Sequence, residues 1–480
     1  MMLYILLSLL CAARAAQELP ERARGGRAYR EFLQRETAAN PLGREALRSQ
    51  GWVDEPLTWD APVDHFSADN STFPQRYFVD AQYWAGGPVF FLISGEGTLT
   101  APPGGYVATL GKQYSALLIS LEHRFYGGSI PQGSAATENY HRHLSVQQAL
   151  ADLCAFTDHY KGSVKGAVSV PWVIFGGSYS GGLASWYRSA YPQQSVGALS
   201  SSGVVHNIVD FYQFDMQVSA AAGNSCGQGI RRVQGAFQRT AERGEPGLQT
   251  ALGKLHCEAD MSADDFYFMI ADSWSMAVQY SAKSQLCAAL SSIPPDAADA
   301  AVMDAFAAFS VDFWGAGFCS MGFYNTRALA DPARWDVNSR SWRYQTCAQV
   351  GYFNTAPPSG ALRAPTLDLP YHLAQCAAIF GVPMFPNSLQ MTEQFGGQFP
   401  SAGNTFYSHF ADDPWQRAGV SFAPSAAQPY HLAQCDDCGH CLDLHSPSPD
   451  DAPELQESRA EFEGYLAQWL APRERVDVNR

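Results

Sequence analysis

Between residues 63 and 202 the chain alternates short, continuous apolar runs with amphipathic stretches. Val89-Phe90-Phe91-Leu92-Ile93-Ser94, Ala116 to Leu121, Trp172-Val173-Ile174-Phe175 and Gly197 to Ser202 have the pattern of strands buried on both faces. The first opens after the Gly86-Gly87-Pro88 turn and ends in Gly95-Glu96-Gly97. Phe73 to Val79 is aromatic and partly alternating, which predicts an edge strand. Ser145 to Phe156 places Val146, Ala149, Leu150 and Leu153 on one helical face. Strands alternating with helices predict a mostly parallel sheet covered on both sides.

Near Phe211 the texture changes. From there to about residue 395 the chain is rich in Ala, Gln and Met with helical spacing, as in Gln285 to Leu290 and Asp296 to Phe309. Pro357-Pro358-Ser359-Gly360 marks a loop inside this region. The sheet pattern resumes around Asn404, and Ala460 to Leu470 reads as an amphipathic helix that packs back on the sheet. The expected order is therefore a signal peptide (1–15), an N-terminal extension or pro-segment (16–55), a first part of the core (56–210), a helical insertion (211–398) and a second part of the core (399–475).

Composition narrows the class. Of the 480 residues, 46% are hydrophobic and 16% charged, enough apolar material for a large buried core. A net charge of -15 argues against nucleic acid and against attraction to anionic membranes. The apolar run Leu3 to Leu10, followed by Ala13-Arg14-Ala15, predicts a secretory signal peptide, and no later stretch has the strength of a spanning helix. Lysosome, vesicle or extracellular space would be the destination. Removing Cys11 with that peptide leaves ten cysteines, an even count that suggests several disulfides in an exported chain. Asn70-Ser71-Thr72 is an N-glycosylation acceptor in a polar stretch.

The strongest chemical signal is Phe175-Gly176-Gly177-Ser178-Tyr179-Ser180-Gly181-Gly182. It follows an apolar strand and precedes a helical pattern, Leu183 to Tyr191, the context of a nucleophile elbow. Ser180 stands where Gly-x-Ser-x-Gly would have its second glycine, and is itself a rival nucleophile; Gly176, two residues before Ser178, favours Ser178. A serine hydroxyl needs a base, and the base an orienting acid. The last quarter offers Asp412-Asp413-Pro414-Trp415 and then Cys438-Gly439-His440-Cys441-Leu442-Asp443, in the order serine, acid, histidine of α/β-hydrolases. Cys435, Cys438 and Cys441 beside His440 also have a zinc-like spacing. An oxidising compartment, the lack of a second CxxC and the need for His440 elsewhere favour disulfides that hold the histidine loop. No metal or cofactor is expected.

These residues resemble the serine peptidase family of lysosomal Pro-X carboxypeptidase and dipeptidyl-peptidase II, most of all its thymus-specific serine protease branch. The resemblance runs from about Val63 to Leu470. It rests on Asp64-His65-Phe66, Gly95-Glu96-Gly97, Glu122-His123-Arg124-Phe125-Tyr126-Gly127, Gly176-Gly177-Ser178-Tyr179, Trp342-Arg343-Tyr344-Gln345-Thr346-Cys347, Asp413-Pro414-Trp415 and His440-Cys441-Leu442-Asp443. It implies an α/β-hydrolase core with a large, mainly helical inserted domain over the active site, a catalytic triad of Ser178, Asp413 and His440, and a homodimer. One departure stands out: the family's Asn-Gly before Asp-Pro-Trp is replaced by Ser408-His409-Phe410-Ala411-Asp412, which lets Asp412 compete with Asp413.

The expected function is a serine exopeptidase acting on short peptides through an acyl-enzyme, near a terminal proline or small residue. The backbone N–H of Tyr179 and one at Gly95 would form the oxyanion hole. Glu96 either meets the charged amino end of a peptide or braces its loop; Trp415 packs near the site as a substrate contact or as a core aromatic. Glu122 and Arg124 read as an ion pair beneath the site. An esterase or lipase of the same fold, or a secreted binding protein with impaired catalysis, are the alternatives.

Overall fold

The computed structural model describes residues 55–319 and 322–471. The expected signal peptide and all but the last residue of the expected extension lie outside them.

The apolar runs assemble into one sheet. Its strands are β1 (Leu57–Pro62), β2 (Thr72–Asp80), β3 (Val89–Ile93), β4 (Leu117–Leu121), β5 (Trp172–Gly177), β6 (Gly197–Ser201), β7 (Thr405–Phe410) and β8 (Tyr430–Ala433). The order is β1-β2-β4-β3-β5-β6-β7-β8. β1 and β2 run antiparallel to their neighbours, and every pair from β4 to β8 is parallel. The inner strands read as unbroken apolar runs because helices cover both their faces. One expectation is corrected: β2 is not an edge strand. It pairs with β4 on one side and with β1 on the other. β1, with its Asp60 and Pro62, carries too weak a strand signal to be read from sequence, and it takes the edge, where proline costs no ladder bond.

One face of the sheet packs on α1 (Gly105–Gln113) and the C-terminal helix, α14 (Pro453–Leu470). Phe90, Phe175, Leu199 and Phe406, from four strands, meet Tyr106 and Leu110 of α1 and Phe462 and Leu466 of α14. Phe462 lies 5.8 Å from the Phe175 ring and 5.7 Å from Phe406. Each side chain so buried contributes about 1.5–3 kcal/mol. α2 (Thr137–His143) precedes α3 (Val146–Ser163), which Ser145 caps by accepting from Gln148 N. Phe156 of α3 packs among Trp59, Tyr77 and Phe91 on the opposite face of the sheet. α4 (Ser178–Ala190) follows β5 without an intervening loop.

The described chain divides into two compact units, one of residues 208–386 with 412–414, the other of 55–207, 387–411 and 415–471. The second holds the sheet and α13 (Ser388–Phe395). The first is helical: α5 (Tyr212–Ala241), α6 (Glu245–Lys254), α7 (Ala263–Gln279), α8 (Lys283–Ser291), α9 (Asp299–Trp314), α10 (Thr326–Ala330), α11 (Val337–Gln345) and α12 (Leu369–Phe380). Disulfides Cys226–Cys287, Cys257–Cys319 and Cys347–Cys376 staple it, and Asp215 pairs with Arg363 at 3.0 Å with neither side chain exposed. In sequence this helical block lies between β6 and β7. The architecture is an α/β-hydrolase fold with helical insertions. Among the described residues no helix is long and apolar enough to cross a membrane.

Candidate active site

The elbow is built as its glycines require. A side chain at Gly176 would place Cβ 2.0 Å from Ser180 O, so the strand can turn into α4 only without one. Ser178 sits at φ 58°, in the left-handed region that non-glycine residues avoid at about 1–3 kcal/mol. Ser180 N–H and side chain belong to the first turn of α4. Its Oγ donates to Gly177 O at 2.8 Å and accepts from Gly177 N at 3.1 Å. That hydroxyl is used inside the turn, which is a structural reason for a serine at the second-glycine position.

Gly95, just past β3, lies beside the same helix start: an added Cβ would be 3.7 Å from Ser180 Cβ and 3.8 Å from Ser180 N. Helix N-termini present N–H groups without intrahelical acceptors and a partial positive charge. The Gly95 loop is braced from below. Glu122 accepts from Leu99 N at 2.9 Å, Gly128 N at 3.0 Å, Ser129 Oγ at 2.6 Å and Arg76 Nη1 at 2.8 Å, while Arg76 Nη2 donates to Leu99 O at 3.2 Å. Burial raises the Glu122 carboxyl above the ordinary carboxylate range, against those hydrogen bonds. The expected Glu122–Arg124 pair is thus corrected. Arg124 instead holds Asp152 by two bonds of 2.6 Å and donates to the carbonyls of Pro62, Val63 and His143. Two residues apart at a strand end, the two side chains leave for different partners.

Between them, His123 donates from Nδ1 to Arg124 O at 2.7 Å. Its Nε2 is then an acceptor, and takes the Tyr179 hydroxyl at 3.1 Å. Burial pushes His123 down to about 4, so the ring is neutral and this tautomer is stable. Tyr179 is fully buried, its ring fixed by this bond and by Trp186 at 6.4 Å. Burial, then Tyr179 and Glu96, push the Tyr126 hydroxyl well up.

The histidine loop leaves β8 through a Cys435–Cys438 disulfide, which takes two of the three thiolates that a zinc site would need. Cys154 is a free thiol, so the even count does not mean full pairing. His440 is buried, 5% exposed, with the partly exposed Trp415 ring 6.3 Å away at 43°. Cys441, at φ 54°, donates its N–H to Ser202 Oγ at 2.9 Å. A Cβ at Gly177 would lie 2.9 Å from Cys441 Sγ, so the residue before Ser178 touches the residue after His440. Asp413 follows β7 by sequence and is fully buried. Its neighbour Asp412 pairs with Lys283 Nζ at 2.9 Å. Ser178, Asp413 and His440 thus follow the C-terminal ends of β5, β7 and β8, the end of a parallel sheet where ligands bind. Asn70 is exposed in the loop before β2.

The pattern of one known family, serine carboxypeptidase S28, matches residues 61–462, from β1 to α14. The chain belongs to this family. It is 31% identical over 409 residues to a probable serine protease of Arabidopsis thaliana, covering 82% of this chain and 80% of that protein. It is 30% identical over 467 residues to the mouse thymus-specific serine protease, 89% of each. Against the human lysosomal Pro-X carboxypeptidase it is 27% identical over 446 residues, covering 86% of this chain and 88% of the relative.

Within this S28 chain several buried groups around the histidine loop escaped sequence reasoning. Ser200 Oγ donates to Gly181 O at 2.8 Å, Ser201 Oγ to Asp443, and Ser408 Oγ to Asp443 Oδ2 at 2.5 Å. Arg459 of α14 reaches the carbonyls of the turn behind His440. The available signal was three consecutive serines closing an apolar strand, too polar an end for a plain core.

Proposed function

We propose that this S28 protein is a serine exopeptidase that hydrolyses short peptides through an acyl-enzyme on Ser178. The observation that carries the reading is the left-handed Ser178 at the β5–α4 elbow, with Gly177 packed against the turn that bears His440. His440 takes the Oγ proton as Oγ attacks a peptide carbonyl carbon, and Asp413 orients the imidazole and stabilises its cationic form. The carbonyl oxygen becomes an oxyanion, held by the N–H groups of Tyr179 and Gly95 at the helix start. Collapse breaks the C–N bond, and the leaving amine takes the proton from His440. Water, deprotonated by His440, then attacks the acyl carbon; the acyl C–Oγ bond breaks, and His440 returns the proton to Ser178 Oγ as the acid product leaves. The ion pair that Asp412 makes with Lys283 favours Asp413 over Asp412 as the acid.

The name of one relative, lysosomal Pro-X carboxypeptidase, favours cleavage beside proline; the motif resemblance adds the dipeptidyl-peptidase type as the alternative, and the serine at position 180 favours the thymus-specific branch. Glu96 and Trp415 are the substrate-facing candidates. Action in the secretory pathway or lysosome, a glycan on Asn70 and a homodimer complete the reading. The test is a mass-spectrometric digest of peptides with proline second from either end, using the parent and Ser178→Ala at pH 5 and pH 7. Cleavage by the parent alone is expected, and the end released assigns the type. Equal cleavage by the variant would remove Ser178 from the role.

A further inference from the structure

We infer that Asp443 and Arg459 are positioning residues that clamp the turn after His440 and so hold its imidazole in place for proton transfer with Ser178. This rests on the proposed peptidase mechanism, and assigns work to two residues outside the triad.

His440 stands in a turn beyond the end of β8. The turn that follows, Leu442–Leu444, is gripped from both sides. On the sheet side, the Asp443 carboxylate accepts from Ser201 Oγ and, through Oδ2, from Ser408 Oγ at 2.5 Å. Ser201 and Ser408 are direct partners in the β6–β7 ladder, so one carboxylate spans two adjacent strands at their C-terminal ends. Ser202, next along, accepts Cys441 N–H at 2.9 Å. On the outer side, Arg459 Nε donates to Asp443 O at 3.0 Å, and its Nη2 donates to Leu442 O at 3.1 Å and His445 O at 3.0 Å. The guanidinium is itself aimed by Asp451 at 2.5 Å and lies over the Tyr106 ring at 5.2 Å.

Three carbonyls captured by one planar fork and one carboxylate tied to two strands leave the turn little freedom. Both side chains are at least nine-tenths buried, so water cannot replace these bonds cheaply. Neither residue need touch the reacting atoms. They act through the backbone that connects them to His440, and a shift of about 1 Å in a catalytic group costs about 100-fold in rate.

The test compares Asp443→Ala, Asp443→Asn, Arg459→Met and Arg459→Lys with the parent and His440→Ala, each checked for a folded urea transition. Two readouts are taken: kcat and KM on a cleaved peptide, and the rate at which a fluorophosphonate labels Ser178. Asp443→Ala and Arg459→Met are expected to lose about 100-fold in kcat and in labelling with KM within about twofold. Asp443→Asn, which keeps an acceptor for one serine, recovers most of the loss. If Asp443→Ala does not fold, Ser408→Ala, which removes one of its two anchors, is expected to lose kcat by about tenfold at unchanged KM. Parental kcat and labelling in Asp443→Ala or Ser408→Ala, with His440→Ala inactive, would overturn this inference alone. Parental activity in His440→Ala, or a parent that neither cleaves nor labels, would overturn the peptidase reading beneath it.

Discussion

Gly177→Ala should damage rate more than stability, and Gly176→Ala the reverse. Gly177 has φ −119° and ψ 150°, extended backbone that any residue adopts, so alanine adds no dihedral strain. Its methyl would lie 2.8 Å from Leu444 Cδ1 and 2.9 Å from Cys441 Sγ. Such contacts settle near 3.5–4.0 Å, so the Leu444 and Cys441 side chains, and with them the histidine turn, must give by roughly 0.6–1.2 Å. Overpacking of that size costs about 1–3 kcal/mol in stability. The same retreat carries His440 with it and should cost about 10- to 100-fold in kcat. At Gly176 the obstacle is the Ser180 carbonyl, at 2.0 Å from O and 2.5 Å from C, which is helix backbone and has nowhere to go. That variant should lose about 4 kcal/mol or more. Urea unfolding midpoints and steady-state kinetics on one peptide separate the two effects. A folded Gly177→Ala enzyme with parental kcat would refute the placement of the histidine turn against the elbow.

Removing Cys226–Cys287, which spans 61 residues, should cost about 4 kcal/mol by loop entropy, against about 2 for Cys435–Cys438, which spans 3; serine variants under urea test the ranking. Arg124→Met breaks a buried pair and should cost about 3–5 kcal/mol, whereas Arg142→Met removes an exposed i,i+4 partner of Glu138 and should cost less than about 0.5. His123, pushed down to about 4, sits below the ordinary imidazole value of 6.5, so in that interval the unfolded chain takes up a proton that the folded ring does not. Its contribution is therefore complete above pH 6.5 and is lost as pH falls toward 4, at about 1.4 kcal/mol per unit. His123→Gln, which still accepts the Tyr179 hydroxyl, should show a slope of stability between pH 6.5 and 4.5 that is shallower by that amount; an unchanged slope would mean that His123 is protonated in the folded protein.

What could be read along the chain were the features set by neighbouring residues. The buried strands at Val89, Leu117, Trp172 and Gly197 announce themselves by continuous apolar runs, and α3 by its one-sided spacing. The elbow could be read too, because its glycines answer a local steric demand: a Cβ at position 176 has no room whatever the rest of the chain does. The long helical stretch was legible in outline for the same reason.

Partners were not legible, because pairing is decided across long chain separations by where each strand ends in space. Whether β2 lies at the edge depends on β1, whose own pattern is broken by Asp60 and Pro62. Glu122 and Arg124 sit two residues apart, yet their partners Arg76 and Asp152 come from opposite directions along the chain. Ten cysteines promised disulfides, but only the fold left Cys154 without a bonded sulfur. The sequence alone could place a serine, an acid and a histidine in the order of an α/β-hydrolase. Only the tertiary structure could set Ser201 opposite Ser408, bring Asp443 down between them and close Arg459 over the turn behind His440. A short-range pattern constrains the backbone of a few residues, whereas a buried hydrogen bond between distant ones exists only once the sheet register has brought its donor and acceptor within 3 Å.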